Sequence, residues 1–316
     1  MSFEQKNQSA ALPEPDGVLI VNKHAGATSH DIVNDIRHIY RTKKVGHTGT
    51  LDPMAEGVLV VLLGRAAKAA EYLVSDRKAY RATLRLGITT DTEDVTGQIL
   101  SQSDALPTAD AVIAVCRERF LGKISQIPPM YSALKVNGKK LCDLARQGVT
   151  IDRQPREIEI FALRCEAVEG SLTDYVLDVT CSSGTYIRTL CADIGAALGC
   201  GGVMATLCRT EVGGYGIDGA VPVSGLREMT EEERLMRLLP TETLFASLPA
   251  LSFPPFYERL VQNGCAIDQK KLKTSYALGT RLRLTHNDGT FFGLGEVVPS
   301  EDGSAAVKCI KFFRLS

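Results

Sequence analysis

Hydrophobic and polar positions along the chain predict its first elements. Residues 17–22 are a short β-branched run typical of a buried strand, and residues 58–63 are a continuous apolar run typical of a central strand. Between them, apolar residues recur at helical spacing over 32–40. Thr28 precedes this helix and Asp31 follows three residues later, which predicts a capping box at its start.

Strands and helices alternate irregularly through the middle of the chain. Alternating residues predict strands at 80–86, 157–165 and 175–181, and helical patterns fall at 66–73, 105–120 and 186–198. Because no regular βαβ period appears, we predict an α+β fold with a mixed, largely antiparallel sheet flanked by helices.

Proline clusters and a lapse in periodicity near residues 239–255 predict a domain boundary. Residues 17–240 form the predicted main domain, and we expect residues 1–16 to be a flexible tail. Within the main domain, residues 122–150 are predicted to be an insert with a short helix. Residues 251–316 carry short strands separated by turn residues, which predicts a small β-barrel.

Composition narrows the class of protein. The 316 residues are 44% hydrophobic and 23% charged, with a net charge of −1, which is typical of a globular protein rather than a disordered one. Residues 249–316 alone are net +3, so a local basic surface is compatible with the overall neutrality. Nine Cys without metal-binding spacing indicate reduced thiols and disfavour a zinc site. With no signal peptide and no apolar run of membrane-spanning length, we predict a cytoplasmic protein.

The densest candidate for chemistry is the run from Gly46 to Pro53. A carboxylate at Asp52, on a loop just before a buried strand, suits a nucleophile or general base, whereas a simple Asp-Pro turn is the structural alternative. Gly46 and Gly49 allow backbone conformations barred to other residues. His47 fits a base, a stacking ring or a metal ligand, and the absence of a second nearby His or Cys disfavours the ligand.

Two further clusters follow. The acidic run from Asp91 to Asp94 invites a metal hypothesis, but its spacing fits no common metal loop and a solvated turn explains it as well. In Cys181–Arg188, Gly184 precedes a predicted helix start, where backbone N–H groups suit a phosphate, and Arg188 lies on the first turns.

Taken in order, these clusters resemble the TruB family of tRNA pseudouridine synthases, from Gly17 to about Phe313. The resemblance implies a pseudouridine-synthase fold followed by a PUA-like RNA-binding barrel. It implies an isomerase that flips uridine 55 out of the tRNA T-loop and converts it to pseudouridine. The motifs that carry it are Lys23…Gly26…Thr28-Ser29, Lys44–Pro53, Lys78-Ala-Tyr80, Asp91–Asp94, Pro128-Pro129…Ser132-Ala133…Lys135, Cys181–Arg188 and Leu207-Cys-Arg209.

The resemblance also assigns roles to individual residues. Asp52 is the implied catalytic aspartate, Tyr80 packs under the target base, and Arg188 pairs with the aspartate. The insert is implied to close on the T-arm. The remaining implied substrate- or RNA-binding residues are His47, Tyr186, Leu207, Lys23 and Asp94, and the positions that depart from the usual family pattern are His24, Ala67 and Cys208.

The reaction has no redox change and no group donor, so we expect no cofactor and no metal. The expected partner is the T-arm of tRNA, bound by a monomer. Asp52 attacks C1′ or removes the 2′-proton, and the sequence leaves both routes open. Three alternatives also stay open: a tRNA-binding or folding chaperone, a metal-dependent hydrolase built on Asp91 and Asp94, and a guide-RNA-dependent relative that acts on ribosomal RNA.

Overall fold

The computed structural model describes residues 13–73, 77–132, 134–136, 138–300 and 303–313. Most of the predicted tail 1–16 therefore lies outside the described residues, but Asp16 is held in an ion pair with Arg65. No helix among the described residues is both long and apolar enough to cross a membrane.

The elements follow one another in a mixed order. The first are β1 (Gly17–Lys23), α1 (Ser29–Ile39), β2 (Val45–His47), β3 (Glu56–Leu63), β4 (Lys78–Leu86), β5 (Ile88–Thr90), β6 (Ile99–Gln102), α2 (Ala109–Arg119) and β7 (Gly122–Gln126). Next come β8 (Lys135–Val136), β9 (Lys139–Lys140), α3 (Leu141–Arg146), β10 (Arg156–Ala167), β11 (Asp174–Cys181), α4 (Ile187–Ala197), β12 (Gly202–Val212), β13 (Tyr215–Gly216), β14 (Val221–Pro222), α5 (Val223–Glu228) and α6 (Glu231–Met236). The last are β15 (Ala250–Ser252), α7 (Pro255–Gln262), β16 (Ile267–Asp268), β17 (Arg281–Thr285), β18 (Phe291–Pro299) and β19 (Ala305–Phe312), and 3₁₀ helices lie at Gly64–Tyr72, Ile217–Gly219 and Thr241–Phe245.

Within the described residues, ten strands form one large sheet. Its order is β14-β1-β3-β12-β4-β11-β10-β7, with β2 beside β3 and β13 beside β12. The pairs β1–β14 and β3–β12 are parallel, and the other pairs are antiparallel. The prediction of a mixed, largely antiparallel sheet is confirmed.

Strand β3 is buried on both faces, which explains its continuous apolar sequence. Leu59 and Val61 pack against Ile32 and Ile36 of α1, while Val60 faces a second apolar cluster on the opposite side. Helix α1 begins as predicted, with a complete capping box between its first residues. The loop before β3 is therefore attached to the most deeply buried strand of the sheet.

Two predicted elements differ from the structure. The predicted helix 66–73 is a 3₁₀ helix, in which the buried Ala66 and Ala69 are three residues apart and share one face. Residues Gly122–Gln126, predicted to belong to the insert, form the edge strand β7 paired with β10. The inserted part therefore begins after this strand and contains the β8–β9 hairpin and α3.

The C-terminal strands form a separate sheet in the order β15-β17-β18-β19-β16. Among the described residues β15 and β16 are its two edges, an open arrangement that is compatible with the small PUA-like barrel expected for this region. Phe291 and Phe313 of this region contact Phe245 of the 3₁₀ helix Thr241–Phe245, with ring centroids 6.1 and 5.8 Å away. Ala69 belongs to the same buried cluster, so the two sheets share an apolar contact.

Candidate active site

The loop between β2 and β3 presents Asp52, and the start of α1 holds its main chain. The Ser29 hydroxyl accepts a hydrogen bond from the Leu51 N–H at 2.9 Å and donates to the Leu51 carbonyl at 3.2 Å. The Ala55 N–H donates to the Asp52 carbonyl at 3.0 Å, which closes a turn immediately after the carboxylate. The Asp52 side chain stays 37% exposed while its backbone is bound on both sides.

Lys23 lies beneath this loop rather than in a cavity. Its side chain is fully buried, and its ammonium group donates to the carbonyls of His24 at 3.0 Å, Pro53 at 3.2 Å and Ala55. Burial lowers the pKa of Lys23 to about 8, and the negative charge of Asp52 partly opposes this shift. Lys23 therefore holds the backbone of the loop.

Arg188, on the first turn of α4, meets the Asp52 carboxylate. Its Nε donates to Asp52 Oδ2 at 2.9 Å, while Nη1 donates to the Thr92 carbonyl at 3.0 Å and Nη2 to the Tyr131 carbonyl at 2.8 Å. Asp94 lies close by, with Oδ2 3.9 Å from Nε. Since Arg188 is only 5% exposed, these contacts fix its guanidinium plane and direct one edge at Asp52.

The carboxylates of the acidic run near Arg188 accept hydrogen bonds from neighbouring residues of the same turn. Asp94 is buried and accepts from the Thr92 hydroxyl at 2.8 Å and from the Thr96 N–H at 2.9 Å. Asp91 accepts from the Gln98 N–H at 2.7 Å. Among the described residues no group of three or more His, Cys, Asp or Glu side chains is arranged to hold a metal ion. A folded turn therefore explains this run, and Asp94 faces Arg188 rather than the surface.

A cavity of about 190 Å³ opens beside Asp52. Gln126 holds one wall, because it accepts from the Tyr186 N–H at 2.8 Å and donates to the Tyr186 carbonyl at 3.0 Å. The structure brings the predicted pocket residues Tyr80, Tyr186 and Leu207 together here. The full lining is Thr50, Leu51, Asp52, Lys78, Tyr80, Ser132, Gly184, Thr185, Tyr186, Ile187, Arg188 and Leu207.

Tyr80 lies at the floor of the cavity and is 8% exposed. Burial raises the pKa of its phenol to about 12, so the ring is neutral at physiological pH. Arg209 is the direct cross-strand partner of Tyr80 and is itself 1% exposed, and its positive charge opposes part of this rise in pKa. Sequence reasoning assigned no role to Arg209. Arg209 follows Leu207 by two residues, so the two side chains lie on the same face of the strand. This spacing is the sequence signal that places Arg209 near the cavity.

A wider groove of about 720 Å³ also reaches Asp52. His47 and His30 line one part of it, and Cys142 and Arg146 of α3 line another, so the insert forms a wall of the groove. The Gly49 N–H donates to His47 Nδ1 at 3.3 Å. Burial lowers the pKa of His47 below its ordinary value, which favours a neutral ring.

The glycines of this loop do not use the conformational freedom that they offer. Gly46 and Gly49 are not among the residues with positive φ, whereas Gly57 has φ +102°. A Cβ atom at Gly57 would lie 2.3 Å from the carbonyl oxygen of Arg209. The residue that requires glycine is therefore the one where β3 approaches β12.

Comparison with known families gives two matches that together span this site. The N-terminal domain of the TruB family pseudouridylate synthases matches residues 37–187. The C-terminal domain of tRNA pseudouridylate synthase B matches residues 188–246.

Curated relatives are similar over most of the chain. The tRNA pseudouridine synthase B of Clostridium tetani is 38% identical over 295 residues, covering 93% of this chain and 99% of the relative. The enzyme of the same name from Alkaliphilus oremlandii is 40% identical over 306 residues, covering 95% and 98%. The one from Geotalea uraniireducens is 48% identical over 238 residues, covering 75% and 74%.

Solved structures are similar in fold. A chain of a Cbf5-Nop10-Gar1 complex superposes with a TM-score of 0.73 at 25% identity, covering 98% of this chain and 91% of that one. A chain of an H/ACA RNP bound to a substrate RNA containing 2′-deoxyuridine gives a TM-score of 0.70 at 21% identity, covering 98% and 93%.

Proposed function

The chain belongs to the TruB family of pseudouridylate synthases, and on this premise we propose that it converts uridine 55 in the T-loop of tRNA to pseudouridine. The observation that carries the proposal is the Asp52–Arg188 ion pair of 2.9 Å at the edge of a cavity that Tyr80 and Leu207 also line. A carboxylate, an oriented cation and an apolar slot are the groups that this isomerisation needs.

The chemistry breaks the bond between N1 of uracil and C1′ of ribose and forms a new bond between C5 and C1′. N1 gains a proton and C5 loses one, so atoms balance without a donor or an oxidant. Asp52 attacks C1′ directly or removes the 2′-proton to give a glycal. Deuterium at C2′ separates these routes, since breaking the C2′–H bond slows the second route and leaves the first nearly unaffected.

Arg188 orients the Asp52 carboxylate. A guanidinium that donates to a carboxylate stabilises its negative charge through a charge-assisted hydrogen bond. The buried Asp94, 3.9 Å from the same Nε, adds a second negative neighbour that holds Arg188 in place. In this proposal Asp94 positions Arg188 and also lines the groove that admits the RNA.

Tyr80, Tyr186 and Leu207 hold the uracil while it is detached. Two aromatic rings and an apolar side chain around one small cavity suit a planar base that must turn without diffusing away. The phenol of Tyr80 is neutral, so its hydroxyl can donate a hydrogen bond to the base or exchange a proton at C5.

The wider groove supplies access for the RNA. A stacked T-loop uridine cannot reach the cavity, so it must be flipped out at a cost of a few kcal/mol. His47 lines the groove next to the catalytic loop, where a neutral ring suits the space left by the extruded base. Arg146 on α3 lines the far wall, which fits closure of the insert on the T-arm.

The guide-dependent alternative is less well supported. Curated relatives at 36–48% identity are named tRNA pseudouridine synthase B, whereas the Cbf5 chain is 25% identical. We therefore propose a stand-alone cytoplasmic enzyme that acts on tRNA as a monomer without a cofactor. Its rate on prefolded tRNA is expected to be unchanged by EDTA, and a loss restored by zinc would favour the hydrolase hypothesis.

The test is to incubate the protein with an unmodified tRNA transcript and map pseudouridine at single-nucleotide resolution. Wild type should modify the T-loop uridine, and Asp52→Asn should abolish conversion with tRNA affinity within about tenfold, or ~1.4 kcal/mol. Asp174→Asn is the matched control, since Asp174 pairs with Arg85 at 2.8 Å elsewhere on the sheet. Turnover by Asp52→Asn, or no pseudouridine with wild type, would overturn the proposal.

A further inference from the structure

Arg209 is a buried cation in the middle of the main sheet. It lies on β12 directly opposite Tyr80 on β4, and 1% of its surface is exposed. In the part of the chain that the structure describes, no carboxylate forms an ion pair with it. A buried guanidinium is costly unless its donors are satisfied, so the groups that accept from it show what it holds.

Those acceptors belong to the strand and loop around Asp52. Nε donates to the Val58 carbonyl of β3 at 2.8 Å. Nη1 donates to the Thr50 carbonyl at 3.4 Å and Nη2 to the Gly49 carbonyl at 3.2 Å. The Arg209 guanidinium therefore binds both the start of β3 and the segment Gly49-Thr50, which directly precedes Leu51 and Asp52.

The same guanidinium reaches the cavity floor. Arg209 and Tyr80 are direct cross-strand partners, so their side chains lie side by side on one face of the sheet, and each shifts the pKa of the other. The side chain that holds the Asp52 loop therefore also packs beside the ring on which the base would lie.

We propose that Arg209 is a positioning residue for the isomerisation, because its guanidinium holds the Asp52 loop in place relative to Tyr80, its cross-strand partner. The inference rests on the proposed function and extends it to a residue that touches neither base nor ribose. Arginine suits this role because its donors form a rigid planar fork, whereas a lysine ammonium is a single point on a flexible stem. A displacement of about 1 Å between reacting groups costs about 10²-fold in rate.

The chain offers a matched control in Arg234. It also binds backbone carbonyls, with Nε 2.9 Å from the Leu226 carbonyl and Nη1 3.0 Å from the Ile39 carbonyl. It borders neither the cavity nor the groove. Arg234→Lys therefore reports the effect of losing an arginine that holds backbone and has no part in positioning Tyr80.

The experiment measures the single-turnover rate at saturating tRNA, the Kd for tRNA and the Tm. Arg209→Lys should lower the rate at least about 30-fold with Kd within about threefold, and Arg234→Lys should leave the rate within twofold. In a Tyr80→Phe background, Arg209→Lys should cost much less than in wild type, because coupled residues are not additive. If the lysine variant does not fold, Arg209→Gln is used with the same expected loss.

Two results would overturn the inference. One is an Arg209→Lys rate within threefold of wild type. The other is a full multiplicative loss in the Tyr80→Phe background, which would show that Arg209 acts without Tyr80. Failure of the proposed function looks different, because wild type and Arg234→Lys would then form no pseudouridine.

Discussion

Individual buried charges explain how this site is held. Lys23, Arg188 and Arg209 are each at most 5% exposed, and each donates to main-chain carbonyls of the segments around Asp52. Of the three, Arg188 alone also donates directly to the Asp52 carboxylate. The cations around the loop therefore donate mainly to backbone carbonyls. Only one edge of the Arg188 guanidinium faces the Asp52 carboxylate.

Replacing Arg188 with lysine should separate catalysis from binding. Arg188→Lys keeps the charge but cannot bind Asp52, Thr92 and Tyr131 together, so the Asp52 carboxylate loses its fixed orientation. We expect the single-turnover rate to fall at least about 30-fold with tRNA Kd changed less than about tenfold. Arg85→Lys, which alters an exposed ion pair, is the control. Near-wild-type rates for Arg188→Lys would contradict this orientation role.

The lowered pKa of His47 predicts how its contribution to tRNA binding depends on pH. Because burial moves its pKa below the ordinary value, His47 gains its charge at a lower pH than an unperturbed histidine does. The ratio of tRNA Kd between His47→Gln and wild type should therefore be flat on acidification through the range in which an unperturbed histidine begins to gain charge. A ratio that rises steadily on acidification through this range would show a cationic phosphate contact instead.

At the scale of elements, the site depends on how closely β3 and β12 approach. The backbone of β12 at Arg209 pairs with Gly57 in a short parallel contact. This contact places the Arg209 side chain next to the Val58 carbonyl and beneath the loop that precedes β3. The conformation of one glycine therefore determines whether the loop and the cavity floor meet.

Gly57→Ala should disrupt this contact. A side chain at φ +102° costs about 1–3 kcal/mol, and the added Cβ would overlap the Arg209 carbonyl oxygen. We expect the Tm to fall by at least about 5 °C, measured by thermal unfolding. Gly46→Ala is the control, because nothing lies within 4 Å of a Cβ there. Equal Tm values for the two variants would contradict the close approach.

The elements show what the sequence predicts well. The strand at 58–63 and helix α1 were predictable because continuous burial and a capping box leave local patterns. The 3₁₀ form of Gly64–Tyr72 was not, since alanine spacing alone does not distinguish it from an α-helix. Edge strand β7 was missed because its pairing with β10 is long-range. Asp52 was found from its motif, whereas the position of Arg209 under the loop depends on strand order.

At the scale of the whole molecule, the C-terminal sheet is tied to the main domain. Arg283 pairs with Glu242 at 2.6 Å and Lys311 with Glu71 at 2.5 Å, around the shared aromatic cluster. Deleting this sheet would expose the rings of that cluster to water and destabilise the remainder. Its contribution to RNA binding is better tested by changing surface charge than by truncation.

Neutralising an exposed basic turn tests whether the C-terminal region contributes to RNA binding. Lys270, Lys271 and Lys273 are exposed in the net-positive C-terminal region. Their triple change to Gln should weaken tRNA binding and reduce the log–log salt slope by roughly one unit per lost phosphate contact. The rate at saturating tRNA and the modified position should not change, because phosphate contacts carry little sequence information.

The control is neutralisation of Arg117 and Arg119, which are exposed on α2. It should leave the salt slope unaltered. A triple lysine variant that modifies a different uridine would show that the C-terminal sheet selects the site.

The hydrogen bonding of the Asp52 loop has a consequence for entropy. Its carbonyls at Gly49, Thr50, Leu51, Pro53 and Ala55 are all bound by buried side chains, so little conformational freedom remains for RNA binding to remove. The ordering cost of each encounter then falls on the RNA and on the insert around α3. Amide hydrogen exchange should accordingly be slow at Leu51 in the free protein and should slow in the insert only when tRNA binds.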